Sequence, residues 1–153
     1  MNKSLGQYFT THTLLLKKVF EFIKNDPHYI LEPSIGRGHI VEYIQQKIKN
    51  CRFKMIEIDE SLITLESINK NNLIYNDFLN YEVNETFDTI IGNPPFNNAK
   101  KDDVKGGEYN NLWYYFVDKS LKVNNKNGLI GFIHNGDWRD YKTNKFSVLE
   151  ELK

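Results

Sequence analysis

Cysteine is almost absent from the 153-residue sequence, since Cys51 is the only one. A lone cysteine excludes an internal disulfide framework and is typical of proteins that fold in a reducing compartment. No apolar run reaches the length of a membrane-spanning helix, and the polar start "MNKSLGQYFT" does not resemble a secretory signal. We therefore expect a soluble protein with no membrane partner, in the cytoplasm or, if the protein is viral, inside the host cell.

An excess of charge of either sign is also missing, because 20 Lys and Arg side chains balance 20 Asp and Glu side chains. Without a basic field the chain cannot hold a polyanion by charge alone, so any nucleic-acid surface is local or is supplied by a partner. The sequence does contain enough apolar material for a core, at 40% hydrophobic and 14% aromatic residues. Its length predicts one domain, residues 1–153.

Strand-like and helix-like runs alternate along the chain, which predicts an α/β fold with a mostly parallel sheet and flanking helices. An N-terminal motif and helix occupy residues 1–27, and the α/β core occupies residues 28–153. The predicted strands are 29–31, 53–57, 73–75, 87–91 and 129–133. The predicted helices are 15–23, 40–48, 59–70, 109–123 and a short last one, with a long loop at 97–109 and a turn at 124–128.

Polar side chains recur at or just past the carboxyl ends of the predicted strands: Glu32, Glu57, Asp77 and Asn93. Ligands of open parallel sheets bind at that edge. Each acid alone is more simply a helix cap or a turn former. Together, with a helix or loop between each pair, they favour one shared site.

The segment "EPSIGRG", residues 32–38, predicts a tight turn between a strand and a helix. Gly36 and Gly38 allow positive φ and the close approach of a ligand to the backbone. The Gly-x-Gly pattern alone is weak, because dinucleotide sites use similar turns. Glu32 would repel a pyrophosphate but attract a cation, and no Gly-Lys-Ser/Thr sequence follows.

The acids of the next two strands suit a nucleoside. Glu57 is placed to accept hydrogen bonds from both ribose hydroxyls, and Asp77 could accept one from an adenine amino group. Ile58 and Phe78 would cover the two faces of the base. The implied ligand is a nucleoside that carries positive charge.

This set of motifs resembles the S-adenosylmethionine-dependent N6-adenine DNA methyltransferases of restriction-modification systems. "GQYFTT" is similar to their N-terminal motif, usually Gly-x-x-x-Thr-Pro, with Thr11 where proline is common. "LEPSIGRG" resembles the glycine loop, "IEID" the ribose-binding acid, "NDF" the adenine-binding motif and "NPPF" the catalytic motif. The resemblance covers roughly Gly6 to Trp138, and "NPPF" is its most specific element.

The resemblance implies a Rossmann-like class I methyltransferase fold, S-adenosylmethionine as cofactor and DNA as partner. It implies no metal. The implied catalytic residues are Asn93, Pro94, Pro95 and Phe96. The implied cofactor-binding residues are Tyr8, Phe9, Thr10, Glu32, Ser34, Gly36, Gly38, Glu57, Ile58, Asp77, Phe78 and Asn93.

The "NPPF" corner also has a physical rationale of its own. The N6 amino group of adenine is a poor nucleophile because its lone pair is delocalised into the ring. The side-chain oxygen of Asn93 and the backbone oxygen of Pro94 could accept its two hydrogens and aim the lone pair at a methyl group. Both prolines fix φ and lack N–H, so the acceptors stay rigidly placed. Phe96 would stack on the base and stabilise the transferred positive charge.

Three alternatives stay open at this point. The first is an RNA substrate, because "GRGH", "EID" and "DFL" also resemble the rRNA adenine methyltransferases. The second is a protein-glutamine methyltransferase, which the N-terminal "GQYFTT" does not suit. The third alternative is a catalytically incomplete fragment that acts with a partner. Family members continue past the fifth strand into a β-hairpin and a target-recognition region. We expect this chain to lack both, with a second subunit or chain supplying them.

Overall fold

The computed structural model describes residues 9–95 and 112–133. The strands in these two ranges are β1 Tyr29–Glu32, β2 Arg52–Glu57, β3 Leu73–Tyr75, β4 Phe87–Gly92 and β5 Asn124–Phe132. The α-helices there are α1 Thr13–Phe22, α2 His39–Gln45 and α3 Leu112–Val123. Within the same part of the chain, no helix has the length and apolar character needed to cross a bilayer.

The strands form one sheet in the order β3-β2-β1-β4-β5, and every pair in it is parallel. The predicted parallel α/β fold is therefore confirmed. β1 pairs with β2 on one side and with β4 on the other, so the chain changes direction across the sheet at β1. Such a change opens a crevice at the carboxyl ends of the two central strands, which is where α/β proteins bind ligands.

The two central strands are buried on both faces, so their side chains alternate between two cores. Ile30 and Ile91 pack with α1 and α2 on one face of the sheet. Leu31 and Ile90 pack with α3 on the other. All four are 0% exposed, and burying each such side chain stabilises the fold by about 1.5–3 kcal/mol. The carboxyl ends of β1 and β4 are thus held by well-packed strands.

Asp88 fixes the opposite, amino-terminal end of the sheet. Its Oδ2 accepts hydrogen bonds from the backbone N–H groups of His28 and Tyr29, both at 2.9 Å. Its Oδ1 accepts one from the Asn125 side chain at 2.8 Å. One carboxylate in β4 therefore ties together the starts of β1, β4 and β5.

The predicted helix over residues 59–70 is wrong. Two short 3-10 turns stand there, Glu60–Leu62 and Lys70–Asn72, and Ile63 between them is extended. Polar side chains compete with a continuous helix: Asp59 accepts from the N–H of Ser61, and Asn69 accepts from that of Asn71. The apolar residues of the segment still pack inward, with Ile63 and Ile68 buried.

The turn predicted at residues 124–128 lies inside β5. Asn127 has a φ of 67°, and the pairing shifts register between Phe87 and Thr89 on β4, so the strand begins with an irregularity instead of after a turn. The start of the fourth predicted helix, the loop at 97–109, the short last helix and the region of the expected missing hairpin lie outside the described residues.

Candidate functional site

The glycine turn leads from β1 directly into α2. Gly36 has a φ of 59° and Gly38 a φ of 89°, so both occupy the left-handed region that favours glycine. Gly38 is the N-cap of α2. A Cβ on Gly38 would lie 2.9 Å from Cγ1 of Ile68, so the turn also has no room for a side chain there. The sequence prediction of a tight turn is confirmed.

Glu57, at the end of β2, is buried and faces this turn. Its Oε2 accepts a hydrogen bond from the N–H of Gly36 at 2.7 Å, and its Oε1 accepts from those of Ile58 and Asp59 at 3.0 Å. Burial raises the pKa of Glu57 above its usual value, and the three N–H donors offset only part of that rise. A carboxylate offers about four lone-pair positions. One acceptor position thus remains for a ligand hydroxyl unless a backbone bond is exchanged.

The residues that follow β2 and β3 differ in how much they can offer a ligand. Ile58 is 58% exposed and presents an apolar surface beside Glu57. Asp77 is half-buried, and its two oxygens accept from the N–H of Leu79 at 2.9 Å and the amide of Asn80 at 2.6 Å. Each oxygen keeps a second acceptor position.

The Phe78 side chain, which was predicted to cover one face of the base, is enclosed by other side chains in this structure. It is 2% exposed, its ring centroid is 5.2 Å from that of Phe116, and the Lys119 ammonium lies 5.1 Å from it. A ring enclosed in this way has little free surface for stacking on a base. Which side chains are buried and which are exposed after the short strand β3 could not be predicted from the sequence.

Glu32, the last residue of β1, is 1% exposed. Neither of its carboxyl oxygens accepts a well-aligned hydrogen bond from the residues that the structure describes, although the backbone N–H of Ser34 lies close enough to offset part of the effect of burial. Burial raises the pKa of Glu32 well above its usual value, so the neutral acid is favoured. Its carboxyl lies against Gly92 of β4, where a Cβ would approach Oε1 to 2.2 Å.

Asn93 follows β4 directly, at the crevice beside β1. Its side-chain Nδ2 donates a hydrogen bond to Oγ1 of Thr10 at 3.1 Å. Thr10 is 7% exposed, and Pro94 is also buried. Pro95 is half-buried. The segment before α1 and the corner after β4 are therefore in direct contact, as two parts of one site would be.

A pocket opens where this corner meets the glycine turn. It is lined by Phe9, Thr10, Ser34, Ile35, Gly36, Arg37, His39, Ile40 and Asn93. The structure thus brings together predicted residues from the N-terminal motif, the glycine turn and the Asn-Pro-Pro corner. Glu57, Ile58 and Asp77 lie at neighbouring strand ends and are not part of this pocket's lining. Tyr8 and Phe96 lie outside the described residues.

Sequence reasoning missed Arg37. Its guanidinium carbon lies 4.6 Å from the centroid of the Phe9 ring, which fixes the N-terminal segment over the glycine turn. It also missed Gly92, whose lack of a side chain admits Glu32. Arg37 falls between the two glycines of the turn, but no pattern in the sequence links it to Phe9.

The residues of the site fit a cationic nucleoside cofactor such as S-adenosylmethionine. Within residues 9–95 and 112–133, the buried carboxyl of Glu32 and the buried hydroxyl of Ser34 make no well-aligned hydrogen bond. The two positive-φ glycines leave the backbone open to close approach. Ser34 and Gly36 line the pocket, and Glu32 lies against Gly92, which directly precedes the pocket residue Asn93.

Several solved structures share this fold. The precorrin-6y C5,15-methyltransferase of Geobacter metallireducens superimposes with a TM-score of 0.60 at 14% identity, over 95% of this chain and 73% of that chain. Coclaurine N-methyltransferase, bound to N-methylheliamine and SAH, gives 0.58 at 21% identity, over 83% of this chain and 38% of that one. The fold is therefore that of the Rossmann-like class I methyltransferases.

The chain belongs to the Eco57I restriction-modification methylase family, whose profile matches residues 7–152. It is 32% identical over 143 residues to the modification methylase CviBIII of Paramecium bursaria Chlorella virus NC1A, covering 84% of this chain. It is 36% identical over 96 residues to the type II methyltransferase M.CvrRI of Paramecium bursaria Chlorella virus XZ-6E, covering 61% of this chain.

A relative of another kind is the ribosomal RNA small subunit methyltransferase A of Mycoplasma genitalium, 33% identical over 104 residues and 62% of this chain. The matched regions are only part of these relatives. They make up 37% of CviBIII, 25% of M.CvrRI and 39% of the Mycoplasma protein. The chain thus corresponds to about a quarter to two fifths of each.

Proposed function

We propose that this chain binds S-adenosylmethionine and transfers its methyl group to the N6 amino group of adenine in DNA. The observation that carries the proposal is the position of Asn93 and Pro94. They follow the central strand β4, and Asn93 opens onto the pocket that the glycine turn shares. Membership of a restriction-modification methylase family supports DNA as the substrate.

In this proposal the crevice between β1 and β4 holds the cofactor. Ser34 and the backbone of the glycine turn would contact its amino-acid part. A cation bound nearby would favour the ionised form of Glu32, which would then compensate the positive charge of the cofactor. Glu57 would accept from a ribose hydroxyl at its remaining lone-pair position. Asp77, with Ile58 beside it, would contact the adenine ring. Bound S-adenosylmethionine supplies an electrophilic methyl group on a cationic sulfur.

The side-chain oxygen of Asn93 and the backbone oxygen of Pro94 would accept the two N6 hydrogens of the target adenine. The nitrogen then becomes more pyramidal, and its lone pair points at the methyl group. Held in this way, N6 would be oriented to accept the methyl group that bound S-adenosylmethionine would supply, leaving a neutral thioether, and the extra proton on N6 would pass to water. Pro94 and Pro95 keep the corner rigid. Phe96 is proposed to stack on the base and to lower the energy of the developing cation.

A target base inside a duplex must leave the stack to reach such a pocket. The chain has as many acidic as basic residues, so it holds DNA weakly by charge. We therefore propose that a second chain or region supplies target recognition.

Adenine in ribosomal RNA is the second candidate substrate. The 33% identity to the Mycoplasma ribosomal RNA methyltransferase favours it, and the chain shares the glycine-turn and acid pattern that suits any adenine methyltransferase. "EPS" at the start of the glycine turn and the N-terminal "GQYFTT" favour DNA.

The test is methyl transfer from labelled S-adenosylmethionine to duplex DNA, single-stranded DNA and ribosomal RNA in parallel, with nucleoside analysis of the products. We expect N6-methyladenine in DNA from the wild-type chain and none from Asn93→Ala. Methylated adenine in RNA alone would move the proposal to the second candidate. Cofactor binding without methyl transfer to any of the three nucleic acids would contradict activity of the chain alone and would restrict the proposed activity to a complex with a partner.

A further inference from the structure

Thr10 holds the side chain of Asn93 across 83 residues of sequence. The Asn93 Nδ2 group donates to the threonine Oγ1 at 3.1 Å, a normal hydrogen-bond length. Thr10 is 7% exposed, so little water competes for the bond. The sequence interpretation gave Thr10 a cofactor contact only, and its pairing with the Asn-Pro-Pro corner is a separate observation.

The segment that carries Thr10 is itself fixed from the glycine turn. The Arg37 guanidinium lies 4.6 Å from the centroid of the Phe9 ring. That ring also lies against Gly36, where an added Cβ would be 3.5 Å from Cδ1 of Phe9. Because Phe9 is held on both sides, the hydroxyl of the next residue has a defined place beside Asn93.

We propose that Thr10 is a positioning residue that holds the Asn93 amide in place, with its nitrogen on the threonine hydroxyl and its oxygen toward the reacting amine. This inference rests on the proposed function. An asparagine amide presents an acceptor or a donor depending on a rotation of half a turn. With Nδ2 bound to Thr10, the side chain offers Oδ1 to the N6 hydrogens. In the opposite orientation the Nδ2 hydrogens would point at the N6 hydrogens, and two donors would face each other.

The same bond also strengthens the acceptor. Donation from Nδ2 polarises the amide, so the oxygen becomes more negative, as in other chains of linked hydrogen bonds. Oδ1 then stabilises the charge that develops on N6 during transfer. Loss of the Thr10 hydroxyl should therefore lower the rate of the chemical step. If Thr10 only contacted the cofactor, its loss would weaken cofactor binding instead.

The experiment compares Thr10→Val, which keeps the shape but removes the hydroxyl, with Thr10→Ser, which keeps the hydroxyl. Thr64→Val is the matched control because Thr64 is exposed and is not among the residues that line the pocket. Three quantities are measured for the full chain: kcat for DNA adenine methylation, Kd for S-adenosylmethionine, and solvent exchange of the Asn93 side-chain amide by nuclear magnetic resonance.

We expect Thr10→Val to lower kcat by about tenfold, the value of one lost hydrogen bond of about 1.4 kcal/mol, with Kd unchanged. The Asn93 amide should exchange faster in Thr10→Val, whereas Thr10→Ser and Thr64→Val stay close to wild type in all three measurements. A weaker Kd with unchanged kcat would overturn the inference and restore a plain cofactor contact.

The proposed function and this inference fail in different ways. A wild-type chain that methylates no nucleic acid contradicts the proposed activity of the chain alone, and the exchange measurement still tests the Thr10–Asn93 bond. An Asn93 amide that exchanges equally fast in the wild-type chain and Thr10→Val overturns the inference, whatever the activity.

Discussion

Replacement of Gly92 by alanine tests the contact between the two central strands. The added Cβ would lie 2.2 Å from Oε1 of Glu32, roughly 1 Å inside the ~3.3 Å at which carbon and oxygen normally meet. Gly92 does not have a positive φ, so alanine suits its backbone and the overlap alone causes the strain. Glu32 is 1% exposed in a close-packed interior, so its carboxyl cannot move aside freely.

We expect Gly92→Ala to lower the free energy of unfolding by about 1–3 kcal/mol, the usual cost of an overpacked core position. Urea unfolding followed by circular dichroism measures it. The matched control is Gly131→Ala on β5. Its Cβ would lie 2.8 Å from Cδ1 of Phe22, but that ring is 53% exposed and can turn away. The control should cost under about 0.5 kcal/mol.

A double-mutant cycle assigns the cost to the overlap. In a Glu32→Ala background the carboxyl is gone, so Gly92→Ala should cost much less than it does in the wild-type chain. An equal cost in both backgrounds would refute the reasoning, because the strain would then come from the backbone of β4 and not from Glu32.

Three further predictions follow from the same geometry. Because the folded-state pKa of Glu32 lies above its ordinary 4.5, this carboxyl's contribution to stability is present below that pH and lost as the pH rises through the folded-state value. Glu32→Gln should reduce the loss of unfolding free energy with rising pH, as measured by urea unfolding at a series of pH values. An unchanged dependence on pH would contradict the role given to Glu32. Gly38→Ala should destabilise by about 1–3 kcal/mol, since φ is 89° and Ile68 leaves no room; calorimetric melting checks it, and a wild-type melting temperature would disprove it. Arg37→Met should speed hydrogen exchange of the Thr10 amide by loosening Phe9, while Lys47→Met, which acts on Tyr43 instead, should not.

The sheet and its functional edge could be predicted because short apolar runs ending in a polar residue mark buried parallel strands. Glu32, Glu57 and Asn93 were expected at strand ends and lie there. The glycine turn was equally visible, since positive φ favours one residue type strongly. These signals are local in sequence.

The parts that could not be predicted depend on competing local hydrogen bonds or on contacts between distant segments. Residues 59–70 have helical spacing of apolar side chains, but local capping by Asp59 and Asn69 prevailed over it. Phe78 packs on Phe116 from α3, and no residue near Phe78 in the sequence predicts that contact. The Thr10–Asn93 bond joins residues 83 positions apart, and only the folded chain reveals it.

The most direct test of the central claim is a calorimetric titration of the chain with S-adenosylmethionine. We predict binding at one site, weakened in Glu57→Gln because that carboxylate loses acceptor capacity at the end of β2. Binding should be unchanged in Glu82→Gln, an exposed acid before β4. Absence of binding to the folded wild-type chain, or equal affinity in both variants, would contradict the assignment of the crevice as the cofactor site.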